Sequence, residues 1–404
     1  MPSRATTLVE SVVSRKEHPR LQDILQLRFS ALDERIASCL NRTAPVKLNQ
    51  INRRQMLRTL VASAPLALAA PALLAAAAPV RKRLGIGMHS YGFHWKAAKE
   101  KNPAVKFSDA LTFLQYAKQL GAGGVQVAIG AKDSAYAAKM RALAERFGMY
   151  FEAQTTLPKK EPEVAQFEAD VRLAKGAGAE VVRTALLSGR RYETFDSAEA
   201  FQKFREQAWQ SLTFAEPVLK RHGLRLAVEN HKDWLASEFV ELLKRLNSEY
   251  VGACVDFGNN LALLEEPMAV VEALAPFAFS THIKDMAVRE YADGFLLSEV
   301  PLGEGFLDLP KMIAVMLKAN PRIRFNLEMI TRDPLKIPCL TDGYWTTMHE
   351  ARAPRLAAAL ALVRQNVSKK PLPQTTGLNP EAQLAFEDEN VRKSLAYAAV
   401  QLGL

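Results

Sequence analysis

From Leu84 onward the chain repeats one pattern eight times. A short apolar run rich in Val, Ile or Phe is followed by an amphipathic stretch, and several of these close on glycine. The runs are 84–89, 125–129, 150–155, 180–187, 224–229, 251–256, 278–283 and 324–329. Helical periodicity fills the gaps at about 107–120, 133–147, 162–176, 196–222, 237–247, 267–275 and 308–319. Gly121, Gly148 and Gly223 stand where C-cap glycines are expected. Eight strands alternating with helices over roughly 245 residues predict a closed parallel (β/α)8 TIM barrel, an α/β fold. An open doubly wound sheet usually carries a glycine-rich phosphate loop after its first strand. Here that position holds His89-Ser90-Tyr91-Gly92-Phe93-His94-Trp95, which is aromatic instead.

The barrel is expected over 80–330, and 331–404 form a C-terminal helical extension. That extension reads as a Pro/Gly-rich loop at 331–345, a helix near 350–366, a Pro-rich linker at 371–380 and a last helix over 382–402. One of these helices should close the barrel as its eighth. Cys39, Cys254 and Cys339 lie far apart with no CxxC or CxH spacing, which argues against a disulfide framework or a thiolate zinc site. Cys254 sits in an apolar run and is expected to be a small core residue.

Parallel barrels place their active sites at the C-terminal ends of the strands. The fifth run ends Ala227-Val228-Glu229-Asn230-His231 and the sixth Cys254-Val255-Asp256-Phe257-Gly258-Asn259. The seventh ends Ser280-Thr281-His282-Ile283-Lys284-Asp285 and the eighth Asn326-Leu327-Glu328-Met329. Four successive strands therefore each offer a potential metal ligand to one rim. The spacings are 27, 26 and 46 residues; the first two fit one unit each, and the excess in the third is an insertion at 286–305. Acids gathered among apolar neighbours repel one another unless a cation neutralises them. Three carboxylates and one imidazole suit one divalent metal ion, Mn²⁺ first and then Mg²⁺, Co²⁺ or Zn²⁺.

The Glu…Asp…His…Glu order resembles the xylose isomerase-like TIM barrel superfamily of sugar isomerases and epimerases, over about 84–330. The resemblance implies that Glu229, Asp256, His282 and Glu328 bind one ion. It further implies that Glu229 and Glu328 are catalytic, facing each other across the substrate as proton-transfer residues. The implied activity is a metal-dependent isomerase or epimerase that abstracts a proton next to the carbonyl of a keto sugar or sugar derivative. The same chemistry leaves a lyase or dehydratase, eliminating from a keto-glycoside or keto-inositol, as the alternative. Tagatose-type epimerases carry His three residues after the metal Asp, where this chain has Asn259. Their Arg six residues after the metal His is offset here to Arg289, seven on. Asn259 and Arg289 are substrate-binding candidates, with Lys284, His231, the strand-end acid Glu152, Glu304 of Gly303-Glu304-Gly305, and Trp95 as a stacking ring beside Phe93.

The N-terminus is an address. Asn52-Arg53-Arg54-Gln55-Met56-Leu57-Arg58 precedes an alanine-rich apolar stretch at 60–80, which resembles a twin-arginine export signal. Pro65 and Pro71 interrupt the stretch, against a membrane anchor, and Ala75 and Ala77 offer a cleavage site. The expectation is a signal peptide at 51–79, a twin-arginine machinery partner and a periplasmic protein, or a cytoplasmic one if the signal is not functional. Residues 1–50 are a poorly patterned extension, and a start near Val46 or Leu48 would give the signal its usual short n-region.

The formal charge of +10 is concentrated there. Residues 1–77 hold 11 Lys/Arg against 5 Asp/Glu, and the rest 42 against 38. With no basic cluster in the body, nucleic acid is not an expected partner. An endonuclease of this barrel class would need several histidines at the rim, and His282 alone ends a strand in a ligand pattern. A non-catalytic sugar-binding module has no need of the Glu229 and Glu328 pair. A small-molecule sugar is the expected partner, and a homo-oligomer is left open.

Overall fold

The computed structural model describes residues 84–348 and 352–404, so the expected N-terminal extension at 1–50 and signal peptide at 51–79 lie outside the described residues. In chain order the strands are β1 (Gly85–Gly87), β2 (Gly124–Val127), β3 (Tyr150–Gln154), β4 (Val181–Thr184), β5 (Arg225–Glu229), β6 (Val251–Asp256), β7 (Ala278–Ile283), β8 (Asp285–Tyr291), β9 (Gly294–Val300), β10 (Phe325–Leu327) and β11 (Leu335–Ile337). Each of the eight apolar runs forms one strand of a closed parallel barrel, in the order β1-β10-β7-β6-β5-β4-β3-β2. The strands fall on the apolar runs that predicted them, with β6 and β7 matching end to end and the others differing by one to three residues at one or both ends.

The principal helices are α1 (Gly92–Lys99), α2 (Ala110–Gln119), α3 (Ser134–Phe147), α4 (Val164–Gly176), α5 (Ala198–His222), α6 (Ala236–Leu246), α7 (Pro267–Leu274), α8 (Leu309–Ala319), α9 (Arg352–Gln365) and α10 (Pro380–Tyr397). Each of α2 to α8 buries one apolar stripe against the strands, as Phe113, Leu114 and Ala117 do for α2 and Phe239, Leu242 and Leu243 for α6. Asp133, Ser197 and Asn379 cap α3, α5 and α10 by accepting from the backbone N–H three residues on. Gly148 and Gly223 end α3 and α5 with φ of 62° and 59°, a left-handed turn that glycine adopts without a Cβ clash.

Three features go beyond the sequence reading. The aromatic segment after β1 is helical, forming α1, and α10 locks onto it. Glu387 accepts from the N–H groups of Phe93 (2.8 Å) and His94 (3.0 Å) and pairs with His94 Nδ1 at 2.7 Å. The insertion at 286–305 is a β-hairpin, β8 and β9, that β11 extends into a three-stranded antiparallel sheet. This sheet has its own core, in which Val288, Phe295, Leu297 and Ile337 pack with Tyr344, Trp345 and Val363. Its two-residue turn is Ala292-Asp293, and Gly294 opens β9 paired with Tyr291.

The barrel interior is polar at mid-height. Glu152 Oε2 accepts from Ser280 Oγ (2.7 Å), Gln126 Nε2 (3.0 Å) and Asn326 Nδ2 (3.0 Å), linking β3, β7, β2 and β10. Below this layer the Tyr150 ring crosses the floor, its hydroxyl donating to Phe325 O at 2.7 Å. A Cβ on Gly124 would lie 2.4 Å from that ring, so glycine there is a steric requirement. Among the described residues no helix is long and apolar enough to cross a membrane.

Candidate functional site

Strand register brings the four strand-end residues together. Asp256 and His282 are direct partners across the β6–β7 ladder, and Glu229 is the last residue of β5. Glu328 follows β10, where its N–H donates to Ile283 O at 2.9 Å. Each of the four offers one ligand atom, and these atoms lie within 4.8 Å of one another with all four side chains buried. His282 Nδ1 sits 3.3 Å from Glu229 Oε2, 3.3 Å from Glu328 Oε1 and 3.7 Å from Asp256 Oδ2, and it makes no hydrogen bond.

The other ring nitrogen explains that orientation. Gln126 Nε2 donates to the Glu152 carboxylate, so its Oε1 faces His282 Nε2 at 2.7 Å as an acceptor. Nε2 must then carry the proton, which leaves the Nδ1 lone pair aimed into the cage of carboxylates. Burial favours the neutral ring, yet Cys254 and Glu328 beside it push the other way and leave its pKa at about 10. The cage draws a cation, whether a proton on the ring or a metal ion. An orphaned imidazole nitrogen with three carboxylates fits a divalent ion of the hard-to-borderline class.

Cationic side chains line the outer side of the cage. Lys284 Nζ lies 2.8 Å from Asp256 Oδ2 and 2.7 Å from Glu328 Oε2. Burial works against both charged groups, but their mutual attraction, with that of Asp256 and His282, wins: Lys284 is held charged and Glu328 well below the usual carboxylate range. Arg183 Nη2 pairs with Glu229 Oε2, and Asn259 Nδ2 donates to Glu229 Oε1 at 2.8 Å. The amide oxygen of Asn259 accepts from Lys284 (3.3 Å) and from Lys232. Lys232 is buried at a left-handed φ of 63°, unusual for a residue with a Cβ. Burial and the nearby Lys284 bring its pKa down to about 7. The remaining oxygen of Asp256 is held by the N–H groups of Gly258 (2.9 Å) and Asn259 (2.7 Å).

The other candidates lie elsewhere. Glu152 is buried in the barrel beneath the ligands, where it supports Gln126; as an interior strand residue it points into the core instead of ending at the rim. Arg289 is exposed on β8, with Nη2 donating to Lys370 O at 3.0 Å, because the hairpin carries it away from the barrel mouth. Glu304 is exposed and pairs with Lys370 at 2.9 Å. Trp95 packs on Phe107 and Phe113 at ring separations of 4.8 and 5.4 Å, from a helix, α1, where the sequence reading had a loop. His231 Nδ1 bonds Leu187 O at 2.9 Å, and burial with Lys232 beside it keeps the ring neutral. Gln126, Arg183 and Lys232 were not among the sequence candidates. The first two stand one residue from the ends of β2 and β4, so the strand-end rule extended to those strands finds them.

A cavity of about 490 Å³ opens beside the cage, lined by His89, Gln154, Thr155, Arg183 and Leu187 among others. His89 Nε2 contacts Gln154 Oε1 at 3.1 Å, and burial lowers its pKa to about 4.

A family model described as xylose isomerase-like TIM barrel matches residues 114–365. A 3-oxo-isoapionate decarboxylase of Pectobacterium atrosepticum is 26% identical over 232 residues, 56% of this chain and 78% of that protein. The uncharacterised protein YihM of Escherichia coli is 26% identical over 99 residues, 24% of this chain and 30% of its own length. Among solved structures, a D-psicose 3-epimerase crystallised with D-fructose superposes with a TM-score of 0.51 at 17% identity. That superposition covers 80% of this chain and all of the epimerase chain, and it speaks to the fold alone.

Proposed function

We propose that this chain, which belongs to the xylose isomerase-like TIM barrel family, is a divalent-metal-dependent enzyme of keto sugars or sugar derivatives. In this reading it moves a proton next to the substrate carbonyl, as an isomerase or epimerase. The observation that carries the reading is the lone pair of His282 Nδ1, unpartnered within 3.7 Å of three carboxylates. A single divalent ion held by Glu229, Asp256, His282 and Glu328 would supply Lewis-acid polarisation of the carbonyl.

The chain's own residues do the rest. Glu229 and Glu328 take and return the proton: Arg183 pairs with Glu229, and His282 and Lys284 beside Glu328 hold its carboxyl well below the usual range. Lys284 and Asn259 hold these carboxylates in place, Lys284 against Asp256 and Glu328 and Asn259 against Glu229. The buried floor of the cage keeps bulk water from competing for the abstracted proton.

The named activity of the Pectobacterium relative favours a second reading, loss of carbon dioxide from a 3-oxo acid. It would use the same polarised carbonyl: the C–C bond to the carboxylate breaks, carbon dioxide leaves, and the electron pair stays beside the carbonyl until a proton is added there. One experiment tests both. Mn²⁺-loaded protein is incubated in D₂O with ketoses, inosose, 3-keto-glycosides and 3-oxo sugar acids, and deuterium uptake and carbon dioxide release are followed. Deuterium appearing beside the carbonyl without gas supports the first reading, and gas release supports the second. If neither occurs with the ion bound, the enzymatic reading is wrong.

Export is proposed on the separate ground of the Arg53-Arg54 segment and the alanine-rich stretch behind it.

A further inference from the structure

Arg183 is 7% exposed and stands at the wall of the 490 Å³ cavity. It pairs with Glu229 through one nitrogen, Nη2, while its Nε is buried with no hydrogen-bond partner. Thr155 lines the same cavity, and its Oγ1 is likewise buried without a partner. A guanidinium in the protein interior normally fills its planar fork with acceptors. Here the acceptor it does have is a carboxylate that the ion would share.

Charge placement points the same way. Arg183 is buried beside a carboxylate that a divalent ion would also claim. A buried guanidinium whose partner is shared in this way is stabilised by an anion entering with the substrate.

We propose that the substrate carries a carboxylate, and that Arg183 binds it from the cavity wall with Thr155 beside it. The substrate class is a keto sugar acid in place of a neutral ketose. This rests on the metal-centre reading of the four ligands. A phosphate ester is the competing anion, but the glycine-rich loop at the rim is already filled. Gly303 and Gly305 N–H groups donate to Asp285 Oδ2 at 2.9 and 3.0 Å, and Met286 and Leu307 N–H groups to its Oδ1 at 2.9 and 3.1 Å. The protein's own carboxylate occupies the nest a phosphate would use.

The test uses probes that differ at one carbon. D-Fructose, D-fructuronate and D-fructose 6-phosphate are titrated calorimetrically into Mg²⁺-loaded full-length protein, and L-sorbose is compared with 5-keto-D-gluconate. At least one acid should bind about tenfold or more tighter than its neutral partner, the scale of a charge-assisted bidentate pair. Arg183→Gln should bring the two within about twofold while still binding Mg²⁺, and Arg183→Lys should keep part of the difference. Equal binding of acid and neutral sugar, absence of binding by either acid, a preference for the phosphate, or an acid preference that survives Arg183→Gln each overturns the inference. Mg²⁺ binding without an acid preference sinks this inference alone, whereas failure of the wild type to bind any divalent ion sinks the metal-centre reading with it.

Discussion

Gln126 Oε1 lies 2.7 Å from His282 Nε2, and the same amide donates through Nε2 to Glu152 at 3.0 Å. A buried carboxylate two strands from the metal candidates thereby decides which nitrogen of their histidine is bare. Glu152 can accept but not donate when ionised, so Gln126 cannot flip without facing its oxygen to a negative charge. Burial raises the Glu152 pKa, and the three donors from Ser280, Gln126 and Asn326 act against that rise.

Gln126→Met should therefore weaken divalent-ion binding by about 10- to 100-fold, the range found for supporting shells of metal sites. Glu152→Gln, which lets the amide choose either orientation, should weaken it less. Calorimetric titration with Mn²⁺, with circular dichroism to confirm folding, measures both. Unchanged affinity in folded Gln126→Met would show that the ring is oriented by something else.

Asp256→Asn and His282→Ala should each lose the ion, measured as metal content of the purified protein. Glu229→Gln and Glu328→Gln keep shape and one acceptor oxygen but lose basicity. Assayed with the ion in saturating excess, each should lose at least about a hundredfold in turnover, as expected for a general base. Substrate affinity should change far less. Turnover above about a tenth of wild type in both variants is incompatible with the two-glutamate mechanism.

Glu299 is buried against Arg332, and burial alone would raise its pKa; Arg332, then Lys284 and Lys232, overcome this and bring it to about 2. Its folded value lies below the ordinary 4.5, so the ionised form stabilises the fold. That contribution is fully present above about 4.5 and is lost as pH falls toward 2. Glu299→Gln should be less stable than wild type at pH 7 by roughly 2 kcal/mol, somewhat under the loss for a fully buried broken pair. The gap in urea unfolding should hold steady from pH 7 to 5 and narrow below. A gap that widens on acidification would contradict the assignment.

Replacing Arg53 and Arg54 with Lys should leave the precursor in the cytoplasm, because twin-arginine recognition depends on the pair. Fractionation of cells expressing the two forms reads this directly. Equal periplasmic yield rejects the route.

The alternation of apolar runs from Leu84 to Met329 was enough to determine the barrel, because a strand buried on both faces is predominantly apolar and a helix covering it must be striped. The same local logic exposed Glu229, Asp256, His282 and Glu328. Strand ends are set by the pattern, and a parallel barrel gathers its strand ends at one rim. Tertiary structure alone decided the rest. Gln126 and Arg183 each stand one residue from a strand end and Glu152 in mid-strand, and one orients the cage histidine, one faces the cavity and one lies under the cage. Which of these a residue does depends on strand register and barrel stagger, which no single strand encodes. Lys232 reaches Asn259 from a left-handed backbone position that composition does not reveal. Arg289 looked close to the centre by counting from His282, but the hairpin turns the chain outward within those seven residues. Distance along a chain becomes distance in space only inside a regular element, and between elements the fold determines it.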